Sequence, residues 1–257
     1  MLTDLSLVSS HRIPTHAMSD CPNVTETKQN RVLTEMDWNE KWETRQIGFH
    51  EKDVHPLFAE FLNEMKNGRE KLNIFFPLCG KAVDMKWLAD MGHNIIGVDV
   101  AEIGLKEFFE EQNVPYVEES VAEIPGAKVF KSTSGNISLY CCNLYDISDS
   151  IIGRVDGVWD RGALVAVNPC DRERYASVLL SLLNKDSRYM IVVLEYDPKL
   201  MTGPPFYVPE SDIEQLFGSA CNYKLLKKID AITERQRKWG LDYFYEKIYL
   251  VTPKSHS

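Results

Sequence analysis

One stretch constrains this chain more than any other. Leu72 to Phe76 is a short apolar run that reads as a strand, and Ala82 to Met91 carries the 3.6-residue period of a helix. Asn94 to Val98 reads as a second strand and Glu102 to Glu111 as a second helix. Strands of four to six residues alternating with helical segments are successive βα units, and such units pack into a parallel sheet covered by helices. A single α/β domain is therefore expected, and 257 residues enclose a large core within one.

The rest of the chain extends this layout. Phe130 to Ser132 and Ile137 to Cys142 flank Thr133-Ser134-Gly135-Asn136, whose Gly and Asn tolerate positive φ, so a hairpin is expected there. Val155 to Trp159 is a strand, Asp171 to Leu183 a helix, and Tyr189 to Glu195 another strand. After the stiff Gly203-Pro204-Pro205 loop, Pro209 to Phe217 is helical and Leu225 to Ile232 and Asp242 to Val251 are late strands. The last alternates Tyr243, Tyr245, Lys247, Tyr249 and Val251 on one side with Phe244, Ile248 and Leu250 on the other, which suits an antiparallel edge. The sum is a mixed sheet of about seven strands, doubly wound, with helices on both faces.

Upstream, residues 1–30 hold no sustained period and are expected to form a flexible arm, leaving residues 31–257 as the domain. Met36 to Glu43 is expected to be a helix capped by Thr34, with Asp37 three residues on, and to carry Trp38 and Trp42 on one face. His55 to Lys66 is a second helix, stopped by Asn67-Gly68.

Charge and cysteine usage narrow the function. Thirty-eight acidic against twenty-nine basic side chains leave a formal charge of −9, without the clustered Lys and Arg that a nucleic-acid backbone demands. No apolar run approaches the roughly 20 residues of a membrane span, and the first residues lack a secretory apolar core, so a cytoplasmic protein is expected. The six cysteines contain no CxxC pair and no ligand spacing with histidine, so no metal site is expected.

In an open α/β sheet ligands sit beyond the carboxyl ends of the strands, so the residues following each strand are the informative ones. After the first comes Pro77-Leu78-Cys79-Gly80-Lys81-Ala82, where Gly80 allows close backbone approach and the next helix directs N–H groups outward. After the second comes Asp99, placed to accept hydrogen bonds from the hydroxyls of a ribose. A dinucleotide fingerprint would need three glycines around a pyrophosphate, and only Gly80 is present. S-adenosylmethionine has the ribose without the phosphates. Trp38, Trp42 and Trp159 offer faces to its sulfonium or, equally, pack in the core. Asn143, Leu144 and Tyr145 follow the next strand, as groups for adenine. Trp159-Asp160-Arg161-Gly162-Ala163-Leu164 brings out Asp160 and Arg161 together, either as a local ion pair or as catalytic groups at the centre of the crevice.

At these residues the chain resembles the thiopurine S-methyltransferase family. The resemblance lies in Phe75-Phe76-Pro77-Leu78-Cys79-Gly80-Lys81-Ala82, Gly126-Ala127-Lys128-Val129-Phe130, Ser134-Gly135-Asn136-Ile137-Ser138-Leu139-Tyr140-Cys141-Cys142, Trp159-Asp160-Arg161-Gly162-Ala163-Leu164 and Gly203-Pro204-Pro205-Phe206-Tyr207-Val208-Pro209. It implies a Rossmann-like class I methyltransferase domain, monomeric, that binds S-adenosylmethionine and methylates the sulfur of aromatic and heterocyclic thiols. It also implies Trp38 and Trp42 at the methionine end of the cofactor, Leu78 beside it, Asp99 on the ribose, Asn143 and Leu144 near adenine, and Arg161 beside the reaction centre. The mammalian pattern has Glu at Asp99, Ser at Asn143 and His at Gln236, while Arg235 keeps its basic residue.

A thiolate needs no dedicated base, so Arg161 and Arg235 are expected to act by electrostatic positioning, with Asp160 orienting an arginine or taking a proton through water. Phe49, Pro204, Pro205 and Arg235 are expected around a flat substrate. The alternatives are a methyltransferase of this fold acting on an oxygen or nitrogen nucleophile, a dehydrogenase, and a nonenzymatic nucleotide-responsive module.

Overall fold

The computed structural model describes residues 32–255, so the expected arm at residues 1–30 lies outside the described residues. Nine strands form one sheet: β1 (Asn73–Pro77), β2 (Asn94–Asp99), β3 (Tyr116–Ser120), β4 (Lys128–Ser132), β5 (Ile137–Cys141), β6 (Val155–Arg161), β7 (Leu183–Glu195), β8 (Cys221–Asp230) and β9 (Tyr245–Pro253). Their order is β3-β4-β5-β2-β1-β6-β7-β9-β8. The central strands β5, β2, β1, β6 and β7 are parallel, as the alternation with helices required.

Eight helices accompany the sheet among the described residues. They are α1 (Glu35–Glu43), α2 (Pro56–Lys66), α3 (Val83–Asp90), α4 (Glu102–Glu111), α5 (Asp149–Ile152), α6 (Arg172–Leu182), α7 (Glu210–Phe217) and α8 (Glu234–Lys238). Alternation along each central strand divides the core in two. Ile74, Phe76, Trp159, Met190, Val192 and Ile248 meet Phe58 and Met65 of α2, Met85 of α3 and Phe108 of α4. On the opposite face Phe75, Val158, Ile191, Val193 and Tyr249 meet Tyr175 and Leu179 of α6 and Phe217 of α7. Both faces of the central strands are therefore dry, which is why they read as continuous apolar runs rather than alternating ones.

Three expectations are corrected. The sheet has nine strands rather than about seven: all eight segments read as strands belong to it, and the hairpin pair β4 and β5 continues outward to β3, whose Tyr116-Val117-Glu118-Glu119-Ser120 is mostly exposed and carries little apolar signal. The last strand is not an edge: β9 runs antiparallel between β7 and β8, and the edge is β8. Its apolar residues on both sides reflect two covered faces: Ile248 and Leu250 join one core and Tyr249 and Val251 the other. Finally, β6 extends through Arg161 instead of ending at Trp159, which separates two residues expected to emerge together.

Candidate active site

The cleft is built at the carboxyl ends of the parallel strands. Its first wall is the turn after β1, where Leu78 and Gly80 both take positive φ, 46° and 48°. A leucine in that region carries strain that the surrounding bonds must hold in place. Cys79 donates its N–H to the Val98 carbonyl (2.9 Å) and Gly80 donates to Asp99 Oδ2 (2.8 Å). The other oxygen, Asp99 Oδ1, accepts from the Ala101 N–H at 2.9 Å. Asp99 thus ties the β1 turn to the β2 turn while lining the cleft. Burial pushes its carboxyl above the ordinary value, an effect the Ala101, Gly80 and Val100 N–H groups partly offset.

The second wall is α1. Its Thr34–Asp37 capping box is present, with Thr34 N–H on Asp37 Oδ2 at 2.8 Å, and it brings Trp38 and Trp42 to the cleft four residues apart. Trp42 is buried between two glycines: a Cβ at Gly80 would lie 2.9 Å from its ring and one at Gly104, on α4, 2.8 Å. Both positions need the missing side chain for the indole to fit. Phe49 packs edge-on against both tryptophans at 5.9 and 5.8 Å.

The register of the sheet places the floor. Phe76 pairs with Gly97, so Asp99 stands two residues further along β2 on the same face. One strand beyond β1, Arg161 occupies the same row, pairing with Val192, which pairs with Ile248 on β9. Leu194 and its partner Glu246 stand one row further out. Asp99, Trp159, Arg161, Leu194 and Glu246 all line one cleft of about 370 Å³.

Arg161 Nη1 donates to the Phe49 carbonyl at 2.8 Å and Nη2 contacts Glu51 Oε1 at 2.9 Å, while Arg235 Nη1 donates to the Gly48 carbonyl. The two guanidiniums, from β6 and α8, hold the segment between α1 and α2 from below. Pro204 and Pro205 complete the rim in a loop with cis Gly203-Pro204 and Pro204-Pro205 bonds. That loop is anchored by Tyr196 Oη on the Pro205 carbonyl and Phe206 N–H on the Val165 carbonyl, both 2.6 Å. Gln236 lines the cleft too, and its side chain accepts from the Thr233 N–H at 3.1 Å to complete the capping box of α8.

Three expected site residues are not in the lining. Asp160 points to the opposite face because successive strand residues alternate. Fully buried, its Oδ2 accepts from Tyr175 and Tyr189 hydroxyls, both 2.6 Å, and its Oδ1 from the Leu164 N–H at 2.9 Å. It makes no ion pair with Arg161. Asn143 receives the Tyr145 N–H at 2.8 Å and donates to Glu35 of α1, and Leu144 is buried beneath it. Conversely, the cleft contains groups that sequence reading missed: His50, Lys81, Asp84 and Glu246. Lys81 is bonded to Glu107 and Glu111 at 2.8 and 2.6 Å. Burial pulls its ammonium pKa down, but the two carboxylates outweigh that and raise it. Asp84 accepts the His55 N–H at 2.9 Å.

A sequence profile of the family described as Thiopurine S-methyltransferase matches residues 33–254. The chain belongs to the thiopurine S-methyltransferase family. Relatives named thiopurine S-methyltransferase include that of Rattus norvegicus, 56% identical over 89% of this chain and 95% of the relative, and that of Canis lupus familiaris, 55% identical over 90% and 94%. Family membership makes the chain a methyltransferase.

The fold agrees with solved structures at low identity. An S-adenosylmethionine-dependent methyltransferase from Anabaena variabilis aligns with TM-score 0.58 at 13% identity over 90% of this chain and 99% of its own. Burkholderia thailandensis 1,6-didemethyltoxoflavin-N1-methyltransferase, solved with S-adenosylhomocysteine, aligns with TM-score 0.57 at 17% identity over 86% and 87%. No cluster of three potential metal ligands and no helix long and apolar enough to cross a membrane occurs among the described residues.

Proposed function

We propose that the chain transfers the methyl group of S-adenosylmethionine to the sulfur of aromatic and heterocyclic thiols, thiopurines among them. The observation that carries this is the row across one face of the sheet. Asp99 on β2 and Arg161 on β6 stand level, two strand spacings or roughly 10 Å apart, beneath a cover of tryptophan and phenylalanine. A carboxylate that lines the cleft fits a ribose hydroxyl, a guanidinium fits a thiolate, and the span between them suits a reaction that joins the two.

When bound, S-adenosylmethionine supplies a methyl group on a positively charged sulfur, a strong electrophile. Asp99 accepts from the ribose hydroxyls, and Leu78 and Gly80 present the turn beside it. Trp38 and Trp42 cover the methionine end and exclude water. Asn143 and Leu144 belong to the adenine side, since β5 flanks β2 away from β1. Arg161 and Arg235 stabilise the acceptor as its thiolate and hold it in line, so alignment carries most of the rate. Of the five N–H donors of Arg161, two are engaged at the rim, leaving others for the sulfur. Asp160 takes no part in proton transfer here; it fixes the end of β6 and thereby the base of Arg161. Phe49, Pro204 and Pro205 form the apolar walls for the ring. A cytoplasmic monomer is part of the proposal and rests on the family.

Calorimetry with S-adenosylhomocysteine, followed by mass detection of S-methylated 6-mercaptopurine, tests cofactor and acceptor together. Binding and a methylated thiol are expected. Methylation of phenols or amines with no thiol turned over would overturn the acceptor assignment.

A further inference from the structure

The acceptor half of the cleft ends in a group that the transfer itself does not use. Glu246 lies on β9, two strand spacings beyond Arg161 on the same face and on the side away from Asp99. Donor site, sulfur site and Glu246 therefore follow one another across the sheet. Leu194 is its cross-strand partner, and Phe244, Trp239 and Pro205 line the same cleft along with Arg235 and Gln236.

A carboxylate in that setting needs a partner, and it has one on one side. His55 Nε2 lies 3.3 Å from Glu246 Oε2, and His55 is itself buried and held by its backbone N–H on Asp84. Burial alone would raise the Glu246 carboxyl, but the bond to His55, helped by the charge of Arg161, outweighs it and keeps the group below the ordinary carboxylate range. Among the described residues no donor is paired with Oε1. The far end of the cleft thus presents a fixed anionic acceptor to whatever ring lies between it and Arg161.

A ring that carries its sulfur at one end and an N–H at the other fits this spacing. Hydrocarbon arylthiols offer the carboxylate nothing and leave it desolvated. Resting on the thiol methyltransferase reading above, we propose that Glu246 is a specificity-determining residue that accepts a hydrogen bond from the ring N–H of a heterocyclic thiol, with His55 as its positioning residue. The chain then favours N–H-bearing bicyclic thiols over arylthiols of the same size.

The test compares kcat/KM for 6-mercaptopurine and 2-naphthalenethiol in the full chain, in Glu246→Gln and in Glu246→Asp. The first substitution removes the charge and the second retracts the acceptor by one methylene. The selectivity ratio in favour of 6-mercaptopurine is expected to fall about 10- to 100-fold in Glu246→Gln, the range for one hydrogen bond to a charged group, and by a smaller factor in Glu246→Asp. An unchanged ratio, including an equal loss on both thiols, would overturn the proposal while leaving the thiol methyltransferase reading intact. Failure of the unsubstituted chain to methylate either thiol would remove both.

Discussion

Replacing Asp99 by asparagine tests the donor site with almost no change of shape. The carboxylate accepts the Gly80 N–H on one oxygen and the Ala101 N–H on the other, at 2.8 and 2.9 Å. An amide has one oxygen and one NH2, so one of those buried N–H groups must face a donor in either orientation. An orphaned buried N–H costs about 1–3 kcal/mol, and Asp99→Asn should lose that much stability in urea unfolding. The same substitution removes one ribose acceptor and its charge. A hydrogen bond to a charged group is worth about 1.5–3 kcal/mol, so affinity for S-adenosylhomocysteine by calorimetry should fall about 10- to 100-fold. A folded Asp99→Asn chain with undiminished affinity would refute the assignment.

The pH profile supplies a second, independent reading of the same residue. Burial raises the Asp99 carboxyl above its ordinary value of 3.8. Once protonated, it loses an acceptor lone pair that a ribose hydroxyl would use. Product affinity in the unsubstituted chain should therefore decline on acidification before the ordinary carboxylate range near pH 4 is reached. The decline should be absent from Asp99→Asn, which starts lower and stays flat. For stability the sign is reversed: the native state takes up the proton more readily than the unfolded chain, so this residue favours the fold at acid pH. That contribution is lost as pH rises from the unfolded value through the raised one. A pH-independent affinity in the unsubstituted chain would show that the ionised carboxylate is not what the ribose meets.

Arg161→Ala should reduce kcat/KM for 6-mercaptopurine by about 100-fold or more, the scale for removing one preorganised charge-stabilising donor, while the melting temperature changes little because its partners are at the rim. Normal turnover by that variant would exclude Arg161 from the reaction. Asp160→Asn should instead cost about 1–3 kcal/mol of stability through its two tyrosines and the Leu164 N–H, with a turnover loss well below that of Arg161→Ala. Equal turnover losses in a stable protein would restore a chemical role to Asp160. Trp42→Ala should cost about 3–5 kcal/mol as a buried aromatic truncation, whereas the half-buried Trp38 should lose product affinity with a smaller stability change. Equal stability losses would make both tryptophans plain packing.

Much of the fold was legible because its signals are local. The βα repeats from Leu72 to Glu111, the Thr34–Asp37 cap and the turn at Thr133 to Asn136 all depend on residues a few positions apart. Strand β3 was not legible because an exposed strand with two adjacent glutamates has no apolar alternation to show. The placement of β9 was missed for a different reason. Alternation with apolar residues on both sides states that both faces are covered, and says nothing of which neighbour lies at each edge.

The site divides along the same line. Asp99, Gly80, Trp38, Trp42 and Arg161 were legible as cleft residues because each ends or follows a strand or sits in a short motif, and the sheet and α1 carry them to one cleft. Asp160 was misplaced by two residues of strand length: once β6 runs through Arg161, alternation sends the two side chains to opposite faces, and only Arg161 lines the cleft. Glu246 had a signal that went unread, a lone charge on a strand face otherwise carrying Ile248 and Leu250. Its meaning depended on His55, 191 positions earlier in the chain and 3.3 Å away in space. Residues at the ends of strands are announced by the fold class, while a group held by a partner far away in the chain becomes visible only when register and cover segment are both in place.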